Sequence, residues 1–378
     1  MPAIGFKRYL LTAAFALMSA VGLHAEEGIS ASHTLLGQTG AASGPLAQLS
    51  GEYLGGARLY FDKVNASGGI NGRRVELRTL DDGYQPERAL QNARKLIDED
   101  RVFALFGCFG TGPSQQVIPL AAERGVPFFA PYTGADSLRE KPRRGVFHVR
   151  ASYRQEIEKI LDHLSGTGVR SIAIVHHADA FGEFGMNAAV QALAERSLKP
   201  VAIVPIEASG ENATAVATRI ATINPAAVIL VTAGNSSSAF VRRLMATDAR
   251  PMIYGLSVIS SSQLSHDLGE LAHGLVISQV VPSPYRFESP VANEYRNVAK
   301  LAKSPLSYAA QEGYMAAKIF SEALRRAGPD LDRARLVSAL ESINKWDLGG
   351  WTVDFTSRRR AASDYVDLVV ISRSSFAP

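Results

Sequence analysis

A single cysteine, Cys108, in 378 residues excludes a disulfide framework and any zinc site built on several thiolates. A dominant sign of charge is also missing. Lys+Arg 40 against Asp+Glu 36 leaves a formal net charge of +4, and basic runs such as Arg358-Arg359-Arg360 are short. Nucleic-acid binding needs a broad basic face, so nucleic acid is not an expected partner. Gly 32 and Pro 18 follow no triplet period, which excludes collagen. A hydrophobic content of 46% with 20% charged residues excludes disorder as the main state. Signatures of chemistry are absent too: there is no G-x-S-x-G, no H-E-x-x-H and no G-x-x-x-x-G-K-[ST]. No cofactor and no metal site is expected.

Long apolar runs are confined to the start. Lys7 and Arg8 precede the run from Tyr9 to Met18, and small residues lead to Leu23-His24-Ala25 before Glu26-Glu27. A positive start, an apolar core and a small residue at the cut make residues 1–25 a secretory signal peptide. The core is too short for a comfortable membrane span, and no later stretch reaches spanning length. The mature chain is therefore expected to start near Glu26, to carry a net charge of +2, and to be soluble and exported to the periplasm.

What remains exceeds the size that one core usually supports, so two domains are expected. Short runs rich in Val, Ile and Phe alternate with helical patterns. Strands are read at His33–Gly37, Arg74–Leu80, Val102–Phe106, Val126–Ala130 and Val146–Arg150. Helices are read at Ser50–Ala66, Pro86–Glu99 and Ser114–Arg124 between them. The alternation restarts at Arg154 and runs to the strand Met252–Gly255, implying a second parallel sheet covered by helices on both faces. A strand at Gly274–Val281, three helical patterns, and late strands at Trp351–Phe355 and Tyr365–Ser372 break it. The economical reading is α/β, with two similar lobes and a chain that crosses between them near Arg150, Pro282 and Arg358. The lobes are then 26–150 with 283–358, and 151–282 with 359–378.

Ligands of open parallel sheets bind beyond the carboxyl ends of the strands. Two loops there draw attention. In Gly107-Cys108-Phe109-Gly110-Thr111-Gly112-Pro113-Ser114, glycine permits close backbone approach, and the helix start behind it offers free N–H groups to an anion. The same segment fits an ordinary tight βα turn. Ala130-Pro131-Tyr132-Thr133-Gly134-Ala135-Asp136-Ser137 follows the next strand, with Thr133 able to add a donor and Asp136 read as a helix N-cap. His176-His177 with Asp179 is read as a surface or loop feature, since adjacent residues of a strand face opposite ways. Asp81-Asp82-Gly83 is read as a turn and Cys108 as a small buried residue.

Several segments carry a resemblance. Gly44-Pro45-Leu46-Ala47-Gln48, Tyr53-Leu54-Gly55-Gly56-Ala57, Val64-Asn65-Ala66-Ser67-Gly68-Gly69-Ile70-Asn71-Gly72 and Asp81-Asp82-Gly83-Tyr84-Gln85-Pro86 come first. Ile172-Ala173-Ile174-Val175-His176, Phe181-Gly182-Glu183 and Glu312-Gly313-Tyr314-Met315-Ala316-Ala317-Lys318 follow in the same order. Together they resemble the leucine/isoleucine/valine-binding family of periplasmic binding proteins. The resemblance implies a type I periplasmic binding protein fold of two doubly wound parallel-sheet lobes joined by three crossovers. It implies a small-molecule ligand, a carboxylate or amino acid, in the cleft, and ABC transporter permease subunits as partners.

The resemblance also places site residues. The family's hydroxyl for the ligand carboxylate falls on Thr111, with Ser114 a second candidate and backbone N–H groups near Gly112. The second loop's carbonyl and Thr fall on Tyr132 and Gly134, with Thr133 between. A family aromatic falls on Phe181, while another falls on Gly234 and is lost. The acid that holds a ligand ammonium falls on Ser257, so the carboxylate end of the site is retained and the amine end is not. The expected ligand is a carboxylate without an amine, with an apolar or aromatic body. A branched-chain amino acid held differently, for instance by Asp179, is the alternative. A periplasmic sensor of the same fold competes with a transport receptor. An enzyme using Ser114 or Cys108 lacks a base in either loop.

Overall fold

The computed structural model describes residues 26–140, 143–356 and 361–372. The segment read as a signal peptide, 1–25, lies outside the described residues, as does Arg358. Strands β1 (His33–Gly40), β2 (Arg74–Asp81), β3 (Ala104–Phe106), β4 (Phe128–Phe129) and β5 (Val146–Phe147) form a five-stranded parallel sheet, in the order β2-β1-β3-β4-β5. Helices α1 (Ala47–Ala66), α2 (Pro86–Arg94) and α3 (Thr111–Glu123) connect them. The chain then leaves this lobe for α4 (Tyr153–Gly166).

The second lobe alternates β6 (Ile172–His177), α5 (Ala180–Glu195), β7 (Ala202–Ile206), α6 (Ala213–Ile223), β8 (Ala227–Val231), α7 (Asn235–Met245), β9 (Met252–Gly255), α8 (Ser261–Leu268) and β10 (Val276–Gln279). The chain returns to the first lobe for α9 (Pro290–Leu301), α10 (Tyr308–Ala327), α11 (Arg333–Glu341) and a small pair, β11 (Trp346–Asp347) and β12 (Thr352–Val353). It crosses back for β13 (Asp367–Val370), which pairs antiparallel with β10. The second sheet is thus six-stranded, in the order β13-β10-β9-β8-β6-β7. This is the α/β fold of two parallel-sheet lobes and three crossovers; the late strand read at Tyr365–Ser372 is β13, and its antiparallel direction is what the alternation does not give.

The core explains where the late helices sit. The ring of Phe320 on α10 packs 5.8 Å from Phe106 and 5.2 Å from Phe129, both on the first sheet. Helices α1 and α10 approach at two glycines. A Cβ on Gly56 would fall 1.7 Å from the Ala310 carbonyl oxygen, and one on Gly313 would fall 1.9 Å from that of Tyr53. No side chain fits there, so glycine sets the helix spacing.

Some local readings are corrected. Helix α3 starts at Thr111, not Ser114. Gly110, at φ +96°, turns the chain in, and Pro113 is tolerated in a first turn whose N–H groups have no helical partner. Helix α2 ends at Arg94 and continues as a π-helical turn, Lys95–Glu99. Asp136 does not cap its own short helical turn. Its carboxylate accepts the Arg154 N–H in the first turn of α4, whose N-cap is Ser152 in a capping box with Gln155. Helix α8 is an addition to the expected elements, and Ser260 caps it by accepting the Gln263 N–H at 3.1 Å.

Candidate functional site

The carboxyl ends of the two sheets face each other across a closed cleft. A cavity of ≈ 20 Å³ remains between them. The first lobe lines it with Leu46, Leu49, Tyr84, Phe109, Thr111 and Tyr132. The second lobe contributes Tyr153, Phe181, Ala233 and Val258. Closure is sealed at the rim, where the Glu52 carboxylate on α1 accepts hydrogen bonds from Ser260 at 3.2 Å and from Ser262 at 3.0 Å.

The first-lobe wall is built by the two loops after β3 and β4. The Phe109 and Tyr132 rings stack at 5.0 Å and 10°, held by a hydrogen bond from the Tyr132 N–H to the Cys108 carbonyl at 2.8 Å. Tyr53 on α1 supports the Tyr132 ring at 4.8 Å, and its hydroxyl donates to the Ala130 carbonyl at 3.0 Å. Ala130 itself is held at φ +53°, a costly conformation for a residue with a Cβ. Such strain at the end of a strand facing the cavity marks a loop that the surroundings over-determine. A Cβ on Gly110 would fall 2.3 Å from the Tyr84 ring, so glycine lets that ring reach the cavity.

Of the residues singled out from sequence, Thr111, Tyr132 and Phe181 come together in the cavity wall. Thr133 joins them from behind, its hydroxyl 2.7 Å from that of Thr111. Gly134 lies under Tyr153, where a Cβ would fall 2.6 Å from the ring. Gly112 packs on Pro86, and Ser114 is buried one turn into α3 with its hydroxyl unpartnered among the described residues. Neither lines the cavity. Gly234 meets the first lobe directly: a Cβ there would fall 2.4 Å from the Pro45 carbonyl oxygen and 2.6 Å from Leu46. The space that an aromatic would fill is taken by Leu46.

Ser257 belongs to a buried ionic cluster. Its backbone N–H and hydroxyl donate to the Glu156 carboxylate at 2.8 and 3.0 Å, and the Ser278 hydroxyl donates to the same carboxylate at 2.6 Å. Arg150, 1% exposed, donates to the Ser257 hydroxyl and lies 3.7 Å from Glu156 and 3.5 Å from Glu312. Its guanidinium also sits 4.6 Å from the Tyr132 ring centroid and 6.0 Å from that of Tyr153. Burial pushes the Glu312 carboxyl up to about 7 against the pull of Arg150. Burial opposes ionisation of Arg150 as well, but the facing carboxylates hold it firmly protonated. Arg139 braces the cluster, donating to the Arg150 carbonyl at 2.9 Å and to the Thr133 carbonyl at 3.0 Å.

These ionic residues escaped the sequence reading. Glu156 and Glu312 sit on otherwise apolar stripes of α4 and α10, and Arg150 closes an apolar run. A charge in such a position is a readable signal for a buried partner.

The two histidines correct another expectation, since both are buried rather than placed on the surface. The His176 side chain bonds the His177 carbonyl at 2.8 Å. His177 lies 2.6 Å from the Ser236 hydroxyl, 3.6 Å from the Asp179 carboxylate, and packs its ring 5.4 Å from Phe181. Burial works against ionisation of Asp179, but His177 and the N–H groups of Gly182 and Phe181 outweigh it and hold the carboxyl low. Asp179 is thereby the N-cap of α5 and is already engaged. Cys108 is buried as expected, and burial pushes its thiol up to about 12. Asp81 and Asp82 form the expected turn. Asp81 accepts from the N–H groups of Ala42, Ser43 and Gly83, and Asp82 from the Tyr84 N–H and the Thr39 hydroxyl. The turn thus positions Tyr84 at the cavity.

Comparison with known proteins extends this picture. The family model for periplasmic binding proteins matches residues 36–375. The Leu/Ile/Val-binding protein homolog 3 of Brucella melitensis is 21% identical over 328 residues, which cover 86% of this chain and 88% of that one. A match at 24% identity to the amino acid binding protein of Pseudomonas aeruginosa spans about half of each, 47% of this chain and 46% of the relative. The crystal structure of a substrate-binding periplasmic protein from Ralstonia solanacearum superposes with a TM-score of 0.84 at 31% identity, covering 89% of this chain and 97% of that one.

Proposed function

The chain belongs to the periplasmic binding protein family, in its leucine/isoleucine/valine-binding branch, and from that premise we propose that it is the exported receptor of an ABC importer. It captures a small carboxylate with an apolar or aromatic body between the lobes and presents it to the membrane permease. Residues 1–25 direct export, and the lobes divide near residues 150 and 282. No catalytic step belongs to this proposal.

The observation that carries the ligand class is the makeup of the cavity wall. Five rings, those of Tyr84, Phe109, Tyr132, Tyr153 and Phe181, surround it, three of them phenols, and the aliphatic hydroxyl beside them is that of Thr111 at the start of α3. Helix α3 has no side-chain cap, so its first N–H groups and its dipole favour an anion beside Thr111. Rings provide apolar area for the body of the ligand. The Pseudomonas and Brucella relatives are named for amino-acid ligands, which supports a carboxylate of that size.

A thermal-shift screen of carboxylates tests the proposal. A ligand at 100 times its dissociation constant adds about 2.7 kcal/mol of stability. Stabilisation by branched or aromatic carboxylates, with no turnover of the bound molecule, is the expected result. Stabilisation only by cations, sugars or neutral molecules would refute the ligand class.

A further inference from the structure

We infer that Arg150 is a specificity-determining residue whose buried guanidinium occupies the place of a ligand ammonium, so that the site selects amine-free ligands. This deepens the carboxylate reading above and rests on it. The first observation is position. Ser257, where the resemblance expects an acid for an ammonium, instead receives a hydrogen bond from Arg150. The cation that an amino-acid ligand would bring is already supplied by the protein.

The second observation is that the acids nearby are committed. The oxygens of Glu156 accept from the Ser257 N–H and hydroxyl and from the Ser278 hydroxyl, and its Oε1 also faces Arg150 at 3.7 Å. Glu312, on α10 of the first lobe, faces Arg150 at 3.5 Å. An incoming ammonium beside Ser257 would meet a like charge in a desolvated setting, where repulsion is strongest. Of the other acids near the cavity, Asp179 caps α5 and pairs with His177, and Glu52 at the rim accepts from Ser260 and Ser262.

The third observation is donor capacity. Nη1 of Arg150 has no hydrogen-bond partner among the described residues, and neither does the hydroxyl of Tyr132, against whose ring the guanidinium packs. Buried donors without partners are costly, and an oxygen acceptor on the ligand would satisfy one. A 2-oxo or 2-hydroxy group has that acceptor where an amino acid has an ammonium.

The test uses one branched body carrying five head groups: leucine, 4-methyl-2-oxopentanoate, 4-methylpentanoate, 3-methylbutylamine and 3-methylbutanol. Calorimetry on the full chain should show leucine binding at least tenfold more weakly than the oxo acid, and the amine more weakly than the alcohol. In Arg150→Gln/Glu312→Gln, which removes the guanidinium together with the carboxyl that faces it, the leucine-to-oxo-acid ratio should narrow about tenfold. Arg150→Lys, which keeps the charge, should keep the discrimination. Leucine binding as tightly as the oxo acid, or an unchanged ratio in the double variant, overturns the inference. If the alcohol outbinds every carboxylate while the amine is still rejected, the carboxylate reading fails and the role of Arg150 stands.

Discussion

Thr111 shows how one hydroxyl serves two tasks. It shares a 2.7 Å hydrogen bond with Thr133 and sits on the uncapped start of α3. Thr111→Val keeps the shape and removes the donor. Calorimetry should show carboxylate affinity falling by roughly 1 kcal/mol, near fivefold, and the melting temperature should fall as well, because the buried Thr133 hydroxyl loses its partner. Cys108 makes the opposite point, that burial can silence a reactive group. Its thiol is fully buried and pushed up to about 12, so iodoacetamide at pH 8 should leave the folded protein unlabelled. Stoichiometric labelling should appear only in denaturant. Labelling of the native protein would show that the loop beside Tyr132 opens.

Helix α1 predicts opposite effects of one substitution along its length. At Gly56 a Cβ would fall 1.7 Å from the Ala310 carbonyl oxygen, so Gly56→Ala must push α10 away. Overpacking of this kind costs about 1–3 kcal/mol, more than the ~1 kcal/mol gained in helix propensity. At Gly51 and Gly55 nothing lies within 4 Å of a Cβ, and alanine there should stabilise by roughly 0.5–1 kcal/mol. Thermal unfolding of the three variants separates packing from propensity, and a stabilised Gly56→Ala would contradict the glycine-set spacing. Elsewhere the elements were legible where pattern and cap agreed. The helix read from Pro86 does start there, as α2, with proline in its first turn and an apolar period behind it. The start of α3 did not match, because Gly110 and Pro113 look like loop residues until the turn they make is known.

Across the whole molecule, the two lobes meet in a closed cleft, and the proposed function requires that cleft to open and close. Gly234 of the second lobe rests on Pro45 and Leu46 of the first, with no room for a side chain. Gly234→Val should hold the lobes apart. Small-angle scattering should then show the wild-type radius of gyration contracting with a saturating carboxylate and the variant's staying at the open value. A variant that contracts normally would show that closure does not bring these surfaces together. Stability should also peak at mildly acidic pH. The carboxyls of Asp81 and Glu294 are held down to about 2. Hydrogen bonds from Ser43 and backbone N–H groups outweigh burial at Asp81, and Lys318 and Lys63 do so at Glu294. Their contributions are present above the ordinary carboxylate range and fade as pH falls towards 2. Glu312 runs the other way. Its raised carboxyl favours the folded state while protonated, and that advantage is lost as pH rises from 4.5 through about 7. Chemical denaturation between pH 4 and pH 8 should show stability falling over that upper window, and Glu312→Gln should flatten the fall.

Local information was enough for the alternation of strands and helices, the two lobes and the loops at the strand ends, because period, glycine turns and caps act over a few residues. It also sufficed to place Thr111, Tyr132 and Phe181 near one cavity, through a resemblance carried by short segments. Only the tertiary structure decided what surrounds them. Arg150, Glu156 and Glu312 are 162 positions apart at the extremes of their numbering, and they meet because the chain crosses between the lobes. Pro45 and Leu46 fill the space over Gly234 for the same reason. A single charge on an apolar stripe tells that a partner must exist, but which partner it finds depends on how the two lobes close, and no local pattern encodes that.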